Sequence, residues 1–65
     1  MYLAVNKNGN EVRFDGKYKP HRDCGKWVQY VGPYKWLDEG STLPYGSIIA
    51  LTGKKITFED EPIKI

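Results

Sequence analysis

Hydrophobic and polar positions follow one another in short runs with the two-residue period of extended chain, and the runs are separated by Gly, Pro, Asn and Asp. Tyr2-Leu3-Ala4-Val5 and Glu11-Val12-Arg13-Phe14 are the first two runs. Between them lies Asn6-Lys7-Asn8-Gly9-Asn10, whose Asn8-Gly9 pair tolerates positive φ and predicts a hairpin closed by a type I′ turn. Asp15-Gly16 predicts a second turn, and Lys17 to Gly25, polar and interrupted by Pro20, reads as a loop. A third strand is expected from Lys26 to Val31. Alternation places Val28 and Tyr30 on one face and Trp27, Gln29 and Val31 on the other. Gly32-Pro33 breaks it because Pro donates no ladder hydrogen bond, and Tyr34 to Leu37 either returns as a fourth strand or continues as a bent one.

The second half is less regular. Asp38 to Thr42 reads as an acidic, turn-rich linker. From Ser47 to Thr52 two readings compete. Ser47 can cap a helical turn that ends at a left-handed Gly53, whereas the adjacent isoleucines favour a short strand; the paired cap signals favour the helix. Lys55 to Phe58 reads as a strand, Glu59 to Pro62 as a turn, and Ile63 to Ile65 as a last edge strand. The fold class expected is mostly β: one small domain over residues 1–65, a curled antiparallel sheet or an SH3-like barrel with one short helical turn.

Composition narrows the function more by exclusion than by indication. A chain of 65 residues is at the size where folding buries only about 60% of the unfolded surface, too little to enclose a deep substrate cavity. No apolar run approaches the roughly 20 residues of a membrane-spanning helix, and Met1 to Gly9 lacks the charged start and apolar core of a signal peptide, so a cytoplasmic protein with no membrane partner is expected. One cysteine, Cys24, cannot form an internal disulfide, and with one histidine it falls short of a zinc site; no metal and no cofactor are expected. The net charge of +2 is uneven: residues 1–15 sum to zero, 16–36 to +4 and 37–65 to −2. That asymmetry would steer an anionic partner toward the middle of the chain.

The basic stretch is also where the rings are. Lys17, Tyr18, Lys19, His21, Arg22, Lys26, Trp27, Tyr30, Tyr34, Lys35 and Trp36 interleave cations with aromatics, the combination that lets flat rings stack on bases while cations meet phosphates. The candidate ligand-binding residues are therefore Lys17, Lys19, Arg22, Lys26, Tyr30, Tyr34, Lys35 and Trp36. The competing reading is that a tryptophan in so short a chain fills the core and that lysine stems cover apolar surface. Of the two tryptophans, Trp27 begins the more regular run and is expected to be buried. Trp36, beyond the Gly-Pro break and beside Lys35, is expected to face a ligand. His21, Asp23 and Cys24 offer a base and a nucleophile, but neighbours in a loop do not readily make the contact that activates a thiol, and no Gly-rich phosphate loop is present; no catalytic residues are assigned and an enzyme is not expected. The acidic run Glu59-Asp60-Glu61 has too few charges to mimic a nucleic-acid backbone and reads as a solvated turn.

Leu43-Pro44-Tyr45-Gly46-Ser47-Ile48, followed by Leu51-Thr52-Gly53-Lys54-Lys55-Ile56-Thr57-Phe58-Glu59-Asp60-Glu61-Pro62-Ile63, resembles the C-terminal pattern of small uncharacterised proteins encoded by bacteriophages and prophages; about a third of the chain takes part. The opening MYLAV followed by NGNEV is similar to what such proteins show. The resemblance carries no activity and no residue roles. It implies a setting, a phage accessory protein acting in the host bacterial cytoplasm. Three functions are compatible with it: inhibition or sequestration of a host-defence component, either a host bacterial protein or a small anionic nucleotide; nucleic-acid binding through the basic aromatic patch; and a structural or assembly role in the virion. The modest net charge weakens the second. The first is preferred. A homo-oligomer, most simply a dimer, is expected because a β domain this small leaves sheet edges and apolar surface to cover.

Overall fold

The first strand, β1 (Tyr2–Val5), is the element on which the rest is laid, since Leu3, Ala4 and Val5 are all buried although they point alternately to opposite faces. In the computed structural model, which describes residues 1–31 and 36–65 and of Val31 and Trp36 the backbone only, β1 is central in a four-stranded antiparallel sheet. It pairs with β2 (Glu11–Phe14) on one side, with Tyr2 opposite Phe14 and Val5 opposite Glu11. Further along the chain come β3 (His21–Asp23), β4 (Lys26–Val31), β5 (Trp36–Asp38), β6 (Ser41–Leu43), the helix α1 (Ser47–Thr52) and β7 (Ile63–Lys64). β6 extends the first sheet beyond β2 and β7 extends it beyond β1, while β3, β4 and β5 form a separate three-stranded antiparallel sheet. The two sheets do not close into a barrel.

This register gives the first sheet two apolar faces. Ala4, Val12 and Phe14 meet Trp27 of β4 on one, with Tyr2 and Phe58 packed against them. Leu3 and Val5 meet Ile48 of α1 on the other, with Leu43, Ile56 and Ile63 closing the cluster. Both faces are covered, so a short strand without strict polar alternation is what β1 must be. Trp27 is 1% exposed and its indole N–H donates to the Val5 carbonyl at 3.0 Å, so the ring that fills the space between the sheets also satisfies its polar atom. The expectation that Trp27 is buried holds.

Several local expectations are corrected. The first hairpin exists, but its turn is not type I′. Gly9 has φ +91° while Asn8 keeps negative φ, and the Gly9 N–H donates to the Asn6 carbonyl at 2.9 Å. This is a three-residue loop of a type I turn with a left-handed glycine after it, and Asn8 Oδ1 accepts from the Asn10 N–H at 3.0 Å. The turn with two positive-φ central residues is Cys24-Gly25, at 51° and 81°, joining β3 to β4. Residues 21–23, expected in a loop, are therefore the strand β3, because the tight turn folds them back onto β4 with His21 opposite Val28. Ser41 and Thr42, expected in a linker, lie in the strand Ser41–Leu43 because β2 has a free edge that pairs it, Glu11 opposite Leu43. Residues 55–58 are not a strand; Ile56 and Phe58 are instead spent on the two separate apolar clusters. β5 returns antiparallel to β4, which decides between the two continuations foreseen after the Gly-Pro break.

Strict alternation fails along β4 as well. Trp27, Val28 and Gln29 are all buried and Tyr30 is exposed. Gln29 is the unexpected member. Its Nε2 donates to the carbonyls of Gly16 at 2.9 Å and Tyr18 at 2.6 Å, and its Oε1 accepts from the Gly16 N–H at 3.1 Å. A fully buried amide is tolerated there because the 16–18 bend offers backbone groups that have no sheet partner. The two hairpin turns are also tied to each other: the Lys7 N–H donates to the Gly25 carbonyl at 2.8 Å and Asn6 Oδ1 accepts from the Trp27 N–H at 2.9 Å.

Candidate functional site

The helix that walls the site starts in an unusual way. Gly46, at φ +86°, stands at the N-cap position and offers no side chain, and Ser47, expected to cap, instead donates its hydroxyl to the Pro44 carbonyl at 2.5 Å. The capping group comes from another element. Glu11 of β2, 9% exposed, accepts from the Gly46 N–H through Oε2 at 2.6 Å and from the Ile48 N–H through Oε1 at 2.7 Å. Helix starts leave N–H groups without intrahelical partners, and a carboxylate satisfies two of them with charge-assisted bonds. At the other end Gly53, at φ +74°, closes the helix by donating its N–H to the Ile49 carbonyl, as expected from the sequence.

With α1 pinned to β2, the chain from Lys54 to Glu59 passes opposite the first hairpin turn, and a groove of about 570 Å³ opens between them. Val5, Ile48, Ile49, Ile56 and Phe58 line it with apolar surface. Tyr45, 81% exposed, and the turn at Gly9 form part of its rim. Lys7, Lys54 and Lys55 also line it, and none of the three is in an ion pair among the described residues. Of the two acidic residues in the lining, Glu11 and Glu59, the first has both oxygens engaged by the helix start. The groove thus joins an apolar floor to a cationic excess. Its size is within the range of about 300 to 1,000 Å³ typical of small-molecule sites.

Of the residues singled out from the sequence, Lys17, Lys19, Arg22, Lys26 and Tyr30 do not line this groove. Lys19 pairs with Glu61 at 3.5 Å and Lys26 with Glu39. The hydrogen bond that Lys26 Nζ donates to the Glu39 carboxylate is the main cause of a Lys26 pKa raised above its ordinary 10.5. Lys17 lies over the ring of its neighbour Tyr18, 5.3 Å from the centroid. Arg22 lies against two rings, 4.5 Å from the centroid of Trp27 and 5.4 Å from that of Phe58, and its Nε donates to the Phe58 carbonyl at 3.1 Å. That arginine clasps the C-terminal segment to β3 and β4. Tyr30 is 43% exposed and stacks on His21 with ring centroids 5.1 Å apart, a cross-strand pair on the face where His21 lies opposite Val28. Tyr34 and Lys35 lie outside the described residues, as does the side chain of Trp36. Cys24 is an exposed thiol held in the turn between β3 and β4.

Sequence reasoning missed Glu11 and the groove together. A glutamate in an alternating strand reads as solvent-facing, and the one available signal was its position opposite the small, apolar end of β1. Lys54 and Lys55 were visible only as part of a segment whose total charge is negative. Among the described residues no cluster of His, Cys, Asp and Glu could hold a metal ion, and no helix is long and apolar enough to cross a membrane. No protein-family model, characterised protein or solved structure is significantly similar to this chain.

Proposed function

We propose that this chain is a small non-catalytic binding protein that captures a component of a bacterial host's defence and holds it out of action, and that capture takes place in the groove between α1, the first hairpin turn and residues 54–59. The groove carries the reading: an apolar floor beside three lysines that have no ion-pair partner among the described residues. The phage setting comes from the resemblance of residues 43–63, which include much of the groove wall. Two of the cations in the basic aromatic stretch, Lys19 and Lys26, are engaged by carboxylates and Arg22 by two rings, which favours the groove over that stretch as the binding surface. The outer strands of two open sheets present unpaired backbone, and a homo-oligomer belongs to the same reading.

The test is capture from bacterial lysate, followed by mass spectrometry of bound proteins and of small molecules released on denaturation. The wild-type chain is compared with Ile49→Asp, which places a charge in the groove at a half-exposed position and should leave the fold intact. A species retained by the wild type and lost by the variant supports the proposal. Retention by both moves binding away from the groove, and retention of nothing removes the function. Sedimentation velocity reads the oligomer, and a monomer at high concentration removes that element.

A further inference from the structure

Resting on the groove as the binding surface, we infer that its ligand is a small amphiphilic anion: an apolar, ring-sized body carrying one or two anionic groups. Three observations lead there. The floor is made of branched aliphatic side chains and one ring, Val5, Ile48, Ile49, Ile56 and Phe58, which reward burial of an apolar body and offer it no hydrogen-bond partners. The charged lining is unbalanced. Lys7, Lys54 and Lys55 have no ion-pair partner among the described residues, and against them stands Glu59 alone, because the Glu11 oxygens accept from Gly46 and Ile48. The volume of about 570 Å³ fits a small molecule rather than a protein surface. A bare anion would leave the floor wet, and a neutral apolar body would leave the lysines unused.

Phe58 joins this site to the rest of the fold. Phe58 lines the groove, its ring meets Trp27 edge-on at 6.1 Å, and Arg22 lies over that ring. A ligand body packed against Phe58 therefore presses on a contact of the core tryptophan, so occupancy should change Trp27 emission.

The experiment compares two probes with the same fused-ring body, anilinonaphthalenesulfonate and N-phenylnaphthylamine, the second lacking the sulfonate. Both are titrated by their own fluorescence into the folded chain at low salt. Exposed ion pairs are individually weak, so the three lysines together should make the sulfonate probe bind about tenfold more tightly. Lys54→Glu with Lys55→Glu should abolish that preference and leave the neutral probe bound. Ile49→Asp should weaken both. Inorganic phosphate should fail to displace the sulfonate probe. In a Trp36→Phe background, Trp27 emission should shift on binding. Equal affinity for the two probes, or a preference that survives the double lysine variant, overturns the anionic assignment. Full displacement by phosphate, or no binding of either probe, overturns the amphiphile. If lysate capture meanwhile yields a groove-dependent host protein, the binding function stands and the ligand class falls.

Discussion

Glu11 offers the sharpest test of how this fold is held. The proposed perturbation is Glu11→Gln, which preserves shape but replaces one carboxylate oxygen with an NH₂ donor. In the native arrangement both oxygens accept, from Gly46 at 2.6 Å and from Ile48 at 2.7 Å. The amide can satisfy only one of these; at the other it sets a donor against a donor in a nearly closed site. A hydrogen bond to a charged group contributes about 1.5 to 3 kcal/mol, and an unsatisfied buried N–H costs a similar amount, so a loss of about 2 to 3 kcal/mol is expected. A single core in a domain this small supplies only about 3 to 5 kcal/mol, so the variant should lose half or more of its stability. Urea unfolding followed by tryptophan fluorescence reads this directly. With a slope of about 1 kcal/mol/M, the midpoint should fall by about 2 M. Ser47→Ala is the paired control. As an N-cap it would cost about 1 kcal/mol, but its exposed hydroxyl only reaches the Pro44 carbonyl, so less than about 0.5 kcal/mol is expected. A Glu11→Gln midpoint unchanged beside a damaging Ser47→Ala would refute the assignment of the cap.

Three further outcomes follow from the turns and the clasp. Gly9→Val should destabilise by about 1 kcal/mol or more in thermal melting, because a β-branched residue resists φ +91° and its Cβ would stand 3.4 Å from the Tyr45 hydroxyl; an unchanged melt would place Gly9 elsewhere. Cys24→Asn should stabilise by about 0.5 kcal/mol, since Asn tolerates the left-handed conformation better and Asn-Gly is the pair this turn type prefers; a lower midpoint would contradict the turn. Arg22→Lys keeps the charge but loses the guanidinium's contact with the Trp27 and Phe58 rings and the Nε bond to the Phe58 carbonyl, so a loss of about 1 to 2 kcal/mol is expected by urea unfolding, and a silent change would show that the clasp is incidental.

What the sequence determined by itself was mostly local. Two extended runs around Asn6–Asn10 can do little other than form a hairpin, Gly53 ends a helix because only glycine enters its conformation freely, and Trp27 is buried because a short chain has no larger apolar group to spend. The elements decided by tertiary structure are those whose stabilising partner is distant in the chain. Ser41–Leu43 is a strand because β2 presents an edge, not because its residues alternate. Ile56 and Phe58, a good strand by composition, are drawn to two different apolar clusters and cannot lie in one ladder. The amide of Gln29 is buried only because the 16–18 bend turns its carbonyls inward, and Glu11 leaves solvent only because a helix 35 residues later starts beside it. The groove is the clearest case of all. Its walls come from the first hairpin and from residues 45–59, and charge summed along the chain hides its cationic excess, since Glu11 is engaged by the helix start, Glu61 pairs with Lys19 and Asp60 accepts from the Thr57 N–H, which leaves Glu59 beside the lysines. Propensity and periodicity act within a few residues, whereas burial and the satisfaction of polar groups are settled by whatever the chain brings together.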